Sequence, residues 1–312
     1  MTYLRRDLVP LLVFALFALA PLAGLASYEF TQLARIMILG IAALSLSLLV
    51  GGAGLISFGH AAAIGFGAYA VAILDAQNIA DAAIVIPVAM LAAALFSLAT
   101  GAVAIRSSGV HFIMMTLAFA QMAYFTASSL AAYGGDDGYT LYARSSVFGS
   151  AVLQDRLVFH YACLALLLLT WLFCRMLLAS RFGRVLRAAR ENAQRVQAVG
   201  LEPYPYRLVA YTIAGAIGGL AGVLLANATE FVSPAYLSWQ RSGELLFMVI
   251  LGGVGRLHGA ILGAIAYVVL EERLAGLTEH WRLIFGPLLI LAVLFFRGGL
   301  AGLLEARSRR HG

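Results

Sequence analysis

Lysine is absent: all 21 basic residues among the 312 are arginine. That excludes a Walker A phosphate loop, whose lysine reaches the nucleotide phosphates, and equally a retinal or pyridoxal Schiff base. If ATP drives this protein, another chain hydrolyses it. Charge of either sign is scarce, at 12% of residues, about half of what a soluble domain carries. Cysteine is nearly missing too. Cys163 and Cys174 fall on one predicted helix about 16 Å apart by helical rise, too far to pair, and read as small apolar core residues. No zinc or haem spacing occurs, so no metal or cofactor is expected.

What fills the chain is apolar: hydrophobic residues make up 62% of it, and the mean hydropathy is +0.92. A bilayer crossing takes about 20 such residues, which leaves room for eight to ten helices and none for a soluble domain. The expectation is an all-α, polytopic membrane protein forming one domain over residues 1–312. Arg5 and Arg6 precede an apolar run from Leu8 to Ala26 that ends in Gly24-Leu25-Ala26, a weak cleavage-site likeness. The run exceeds a usual signal-peptide core and more spans follow, so it reads as a retained first helix. Further spans are predicted at 32–50, 58–75, 82–104, 110–132, 158–179, 208–228, 243–254, 259–275 and 283–296, giving about ten.

With the N-terminus inside, fifteen arginines fall on the inner side and six on the outer, namely Arg35, Arg144, Arg156, Arg241, Arg273 and Arg282. Acidic residues divide the other way: only Asp7, Glu191, Glu202 and Glu305 are inside. Both termini are then cytoplasmic. The net charge of +6 is an orientation signal, and no nucleic-acid partner need be invoked. The external loop 133–157 carries Gly134 to Gly138 as GGDDG. It lacks the alternating ligands and distal glutamate of an EF-hand and reads as a solvated turn. Trp239 and Trp281 sit near predicted outer ends as interfacial anchors, and Trp171 sits mid-span in packing.

The longest polar run is Arg181 to Arg207, with arginines at 181, 184, 187, 190, 195 and 207 and Arg175 just before it. Ser180 can cap a helix start, Val185, Leu186, Ala189, Val196 and Val199 supply a partial apolar face, and Gly200 is a natural stop. Pro203 and Pro205 forbid continuation. A short basic amphipathic helix on the inner side suits docking into a soluble partner; a plain solvated connector is the alternative.

Two stretches repeat a glycine-broken pattern. Gly51, Gly52 and Gly54 match Gly252, Gly253 and Gly255 about 200 residues later. Corresponding broken segments in two halves point to a transport path, because irregular backbone at membrane depth is tolerated where it is buried in protein or lines a wet cavity. Close helix packing through small residues is the competing explanation, and it accounts for Gly215, Gly218, Gly219 and Gly222. Whether the two elements run parallel or inverted stays open. Polar side chains within spans are few: Ser45, Ser47, Ser57, His60, Thr116, Gln121 and Tyr124. Of these Ser57, His60, Thr116, Gln121 and Tyr124 join the glycines as path candidates. His60 alone more often means a packed, hydrogen-bonded residue than a proton relay, and Ser57 with His60 lacks the orienting acid of a catalytic triad. No carboxylate lies deep in any predicted span, which argues against a proton- or sodium-coupled carrier and against intramembrane hydrolysis.

The runs SLSLLVGGAGLISFGHAAAIGFGAYA, GVHFIMMTLAFAQM, GRVLRAARENAQRVQAVG and ELLFMVILGGVGRLHGAILGA together resemble LivM-type permeases, the inner-membrane subunits of ABC importers for branched-chain amino acids. The resemblance covers roughly residues 30 to 300. It implies a heterodimer with a LivH-type permease, two cytoplasmic ABC ATPase subunits and a periplasmic solute-binding protein. It also implies that Arg187, Arg190, Glu191, Asn192, Ala193 and Gly200 belong to a segment like the EAA loop that docks on the ATPase, although Asn192 stands where many importers have alanine. Close relatives move other amino acids, amides, urea or aromatic acids. The rival reading is a self-sufficient secondary transporter or channel for a small organic solute.

The arginine distribution predicts that cysteines placed near Asp136 and near Gln194 react with an impermeant thiol reagent from opposite faces of the membrane. Labelling of both from outside would overturn the orientation.

Overall fold

A computed structural model describes residues 2–23, 27–277, 280, 283–287, 290 and 298–302. The chain is built from helices α1 (Thr2–Leu19), α2 (Ser27–Ser47), α3 (His60–Asp75), α4 (Ala82–Ala104), α5 (Val110–Ser129), α6 (Arg156–Ala179), α7 (Arg181–Glu191), α8 (Ala193–Ala198), α9 (Pro203–Thr229), α10 (Trp239–Gly252) and α11 (Leu257–Ala275). Among the described residues five helical stretches are long and apolar enough to cross a membrane, or six if α10 and α11 count as one bent span. The expected count of about ten is not established by these. α3 is a shorter apolar helix of 16 residues. Most of the predicted span 283–296, the Gly24-Leu25-Ala26 motif and Trp281 lie outside the described residues.

The helices differ in how they meet their surroundings. α2 continues through a π-helical turn at Leu48–Ala53, and 89% of this apolar stretch is buried. It is the central post, with Met37, Ile41, Leu44 and Leu48 fully enclosed. A helix that is apolar all round belongs in such a place. By contrast, 28% of the apolar window is buried in each of α4, α5 and α6, whose outer faces present residues such as Leu91, Met122 and Leu169. Those are faces for lipid or for another chain.

Small residues let α9 approach its neighbours closely. A β-carbon on Gly67 would overlap the Gly219 carbonyl, and one on Gly222 would overlap the Ile64 carbonyl, so α3 and α9 meet backbone to backbone. Gly215 faces Ser97 and Gly219 faces Ala93 on α4. Packing is thus what the glycines of α9 do. Caps set the helix starts: Asp81 accepts from Ala83 N at 3.0 Å and Asp155 from Leu157 N at 2.9 Å.

Loop 133–157 is tied to the end of α9. Strand β1 (Tyr139–Thr140) pairs antiparallel with β2 (Phe231–Val232), Ser145 N donates to Asn227 Oδ1 at 2.6 Å, and the Arg144 Nε lies 3.2 Å from the Asn227 carbonyl. Within GGDDG, Gly134 and Gly138 both have positive φ, +87° and +84°. Among the described residues no cluster of three or more His, Cys, Asp or Glu is placed to hold a metal ion.

The basic run is not one helix. It breaks at Asn192, whose backbone is extended (φ −157°, ψ 102°) and whose Oδ1 caps α8 by accepting from Arg195 N at 3.0 Å. Ser180 caps α7 as expected, and Gly200 stops α8 with φ +83°. Pro203 opens α9 at its first position, where its missing N–H costs nothing. Leu186, Ala189 and Val196 are buried, but Val199 is 74% exposed and so does not belong to the apolar face.

Gly222→Val is expected to destabilise the purified chain by about 1–3 kcal/mol, the usual cost of overpacking against an unyielding neighbour. Gly243→Ala in α10, with open space around it, should be neutral or stabilising by up to about 1 kcal/mol. Thermal unfolding in detergent measures both, and equal effects would refute this packing assignment.

Candidate functional site

The two glycine-broken elements, 201 residues apart in sequence, meet in the fold. α2 loses regular α-geometry in its π turn, and Gly54 ends it with φ +71°. α10 turns into α11 through 116°, with Gly253 at φ +114° and Gly255 at φ +88°. A β-carbon on Gly51 would come within 3.0 Å of the Gly255 Cα, so the breaks touch backbone to backbone. Arg35 and Glu271 pair 2.8 Å apart toward the other ends of the same two helices, which makes α2 and α11 antiparallel.

Arg190, in the last turn of α7, reaches this joint. Its Nη1 donates to the Gly51 carbonyl, and the same atom lies 4.0 Å from where a Gly255 β-carbon would be. A β-carbon on Gly54 would sit 2.8 Å from Arg190 Cγ. The joint therefore needs glycine at three positions. Gly52 faces Leu178 and Leu186 side chains instead, and Gly252 packs against the Gly259 carbonyl where α10 and α11 cross. Three other arginines of the run serve helix ends, where carbonyls lack intrahelical partners. Arg187 donates to the Leu178 carbonyl at 3.0 Å, Arg184 to Ala179 at 3.2 Å and Arg207 to Ala189 at 2.9 Å. Glu191 and Asn192 are exposed, Ala193 is half-buried, and Gly200 stands in open space.

Polar groups hold the irregular segment between the π turn and α3. Thr116 Oγ1 accepts from Phe58 N at 3.2 Å, Ser57 Oγ accepts from Gly59 N at 3.2 Å, and Ser242 Oγ accepts from Ala61 N at 3.0 Å. Of these, the Gly59 and Ala61 N–H groups are ones that the helix start leaves unpaired. Ser45 donates its one proton to the Ala42 carbonyl at 2.7 Å, so at its 2.6 Å contact with His60 Nε2 the histidine is the donor. His60 is a packed, hydrogen-bonded residue. Ser57 lies 3.5 Å from the Tyr211 hydroxyl, and no Ser57–His60 dyad forms.

Gln121 and Tyr124 lie elsewhere, on the wall of a cavity of about 870 Å³ that also touches Phe58, Arg241, Glu244, Tyr267 and Glu271. Ser57, His60 and Thr116 are buried and do not line it. Sequence reasoning missed the charged half of this wall. It counted Arg35, Arg241, Glu244 and Glu271 one by one on the outer side and did not foresee that they form two ion pairs, Arg35–Glu271 between α2 and α11 at 2.8 Å and Arg241–Glu244 within α10 at 2.7 Å. The signal available was their position: Arg35 lies eight residues into α2, and Glu271 four before the end of α11.

The family model for the branched-chain amino acid transport system permease component matches residues 29–294. The LivM permease protein of the high-affinity branched-chain amino acid transport system of Escherichia coli is 29% identical over 287 residues, covering 85% of this chain and 68% of that protein. The corresponding LivH protein of Salmonella typhimurium is 26% identical over 175 residues, 55% of each chain. The autoinducer 2 import system permease protein LsrC of Escherichia coli is 29% identical over 150 residues, 46% of this chain and 42% of that one. No solved structure matches.

Because Gly51 faces backbone and Gly52 faces mobile leucine methyls, Gly51→Ala should lower the unfolding temperature of the purified chain more than Gly52→Ala. The reverse order would mean that the two breaks do not meet through glycine. Gly253, with positive φ and a would-be β-carbon 2.7 Å from the Gly298 carbonyl, is a turn residue, so valine there reports on folding and not on transport.

Proposed function

The chain belongs to the branched-chain amino acid transport permease family, and from that premise we propose that it is one permease half of an ATP-driven importer in the bacterial inner membrane. Its partners are a LivH-type second permease, two cytoplasmic ATPase subunits and a periplasmic solute-binding protein. Its substrate is a branched-chain amino acid or a related small amino acid, amide, urea or aromatic acid. Solute moves inward past the cavity that Gln121 and Tyr124 line and past the glycine joint. α7 and α8 form the coupling segment on the cytoplasmic side, where both termini also lie.

The observation that carries this reading is the seat of Arg190 on the Gly51 carbonyl beside Gly255. A helix that docks on an ATPase would, through this one side chain, push or pull both glycine breaks together. Val199, exposed at 74% on an otherwise charged segment, offers that ATPase an apolar contact. Glu191 and Asn192 are exposed and Ala193 is half-buried at the α7–α8 bend.

A self-sufficient secondary transporter is the second reading, and one observation favours it: Glu244 and Glu271 border the cavity, so carboxylates are available to a coupling cation. Solute flux in vesicles that hold this chain without any ATPase would decide for it.

Arg190→Ala is expected to lower substrate-stimulated ATPase activity and uptake by the reconstituted transporter about tenfold, a loss of the size that follows when a partly buried charge-assisted hydrogen bond is removed. The ATPase subunits should still co-purify. Wild-type stimulation and uptake in that variant would make the segment a mere connector.

A further inference from the structure

Four charged side chains on three helices form one cluster. Arg35 of α2 pairs with Glu271 of α11, and Arg241 pairs with Glu244 on α10. Tyr267 lies within electrostatic reach of all four, and Arg241 within reach of Glu271 as well as Glu244. The cluster is neutral as a set. It also separates two spaces: Arg241, Glu244 and Glu271 border the cavity of about 870 Å³, whereas Arg35, Arg241 and Glu244 border a second cavity of about 270 Å³. The smaller one is otherwise lined mainly by apolar groups, among them Leu39, Ile64, Leu245 and Met248.

We propose that this cluster is a recognition site for a zwitterion, in which the ligand exchanges partners with the two ion pairs. The ligand carboxylate takes the Arg241 guanidinium and its ammonium takes the Glu271 carboxylate, while an apolar side chain enters the smaller cavity. The physical basis is charge balance. The four side chains are between 18% and 37% exposed, so each is held by a partner yet remains within reach of a ligand that enters the cavities they border. Inserting a zwitterion into a neutral set of four charges leaves every charge partnered. Inserting a simple anion or a simple cation leaves one unpaired, and the site rejects it. The lipophilic end of the ligand is then selected by Leu39, Ile64, Leu245 and Met248, and the polar end by geometry that a sugar or an amide cannot satisfy.

This inference rests on the transport reading above and narrows its substrate class. The test uses the purified complex of both permeases and both ATPases without the binding protein, so that selectivity of the permease is read by itself. Leucine at millimolar concentration should raise its unfolding temperature by about 2 °C or more, as a ligand at several times its Kd does for a chain of this size. 4-Methylpentanoate, which lacks the ammonium, and 3-methylbutylamine, which lacks the carboxylate, should not. The double variant Arg241→Glu with Glu244→Arg keeps an ion pair on α10 but reverses its polarity. It should assemble and unfold like wild type, lose the response to leucine, and take up leucine about tenfold more slowly when reconstituted with the binding protein. No leucine response in the wild type, equal responses to the two single-charge analogues, or wild-type uptake by the reversed pair would each overturn the zwitterion site. Failure of the wild-type transporter to take up any amino acid, amide, urea or aromatic acid would overturn the transport reading, and this inference with it. If amino acids are taken up but the reversed pair behaves as wild type, the transport reading stands and the ion pairs only join helices.

Discussion

A guanidinium resting on a backbone carbonyl holds the two halves of this fold to its polar loop. The π turn of α2 leaves the Gly51 carbonyl outside regular α-helical pairing, and Arg190 satisfies it. The contact exists because glycines make room for it and shape its backbone. Gly54 makes way for the arginine stem, Gly51 lets two main chains come together where a side chain would hold them apart, and Gly255 takes a positive φ of +88°. Irregular backbone in an apolar setting demands such partners, since an unpaired carbonyl there costs several kcal/mol. The same demand explains why Thr116, Ser57 and Ser242 crowd round the start of α3.

Around that joint the structure divides its labour between buried and outward faces. α2 is enclosed by α6, α9, α10 and α11 in one continuous apolar core, and α3, α4 and α5 form a second core with α9. α9 belongs to both, which is why it is so rich in glycine. A helix wedged between two layers can carry large side chains on few of its faces. Helices at the periphery need no such restraint, and Leu91, Met122 and Leu169 stand outward accordingly.

The charged cluster gives the fold a different kind of constraint. Its four side chains are between 18% and 37% exposed, so each pair by itself contributes only about 0–1 kcal/mol to stability. Both pairs here are short, at 2.8 and 2.7 Å. Two good pairs beside two cavities are an arrangement that packing alone does not require, because α2, α10 and α11 already share an extensive apolar interface.

By itself the sequence determined the class of this protein. Hydropathy and the want of charge dictate apolar helices, because backbone amides surrounded by hydrocarbon must pair internally. The order of the motifs placed the chain in its family, and Ser180, Gly200 and the proline after it marked the limits of the polar segment correctly, since caps and stops are local chemistry. The tertiary structure decided what no local pattern encodes. That Gly51 meets Gly255, that Arg190 reaches them both, and that Gly253 is a turn residue follow from how helices far apart in sequence come together. The bend at Asn192 was hidden because asparagine is as compatible with a polar helix face as with a cap. The pairing of Arg35, Arg241, Glu244 and Glu271 was hidden because one-dimensional charge counting treats each ion alone, and only the fold shows that each has a partner of opposite sign within hydrogen-bonding distance.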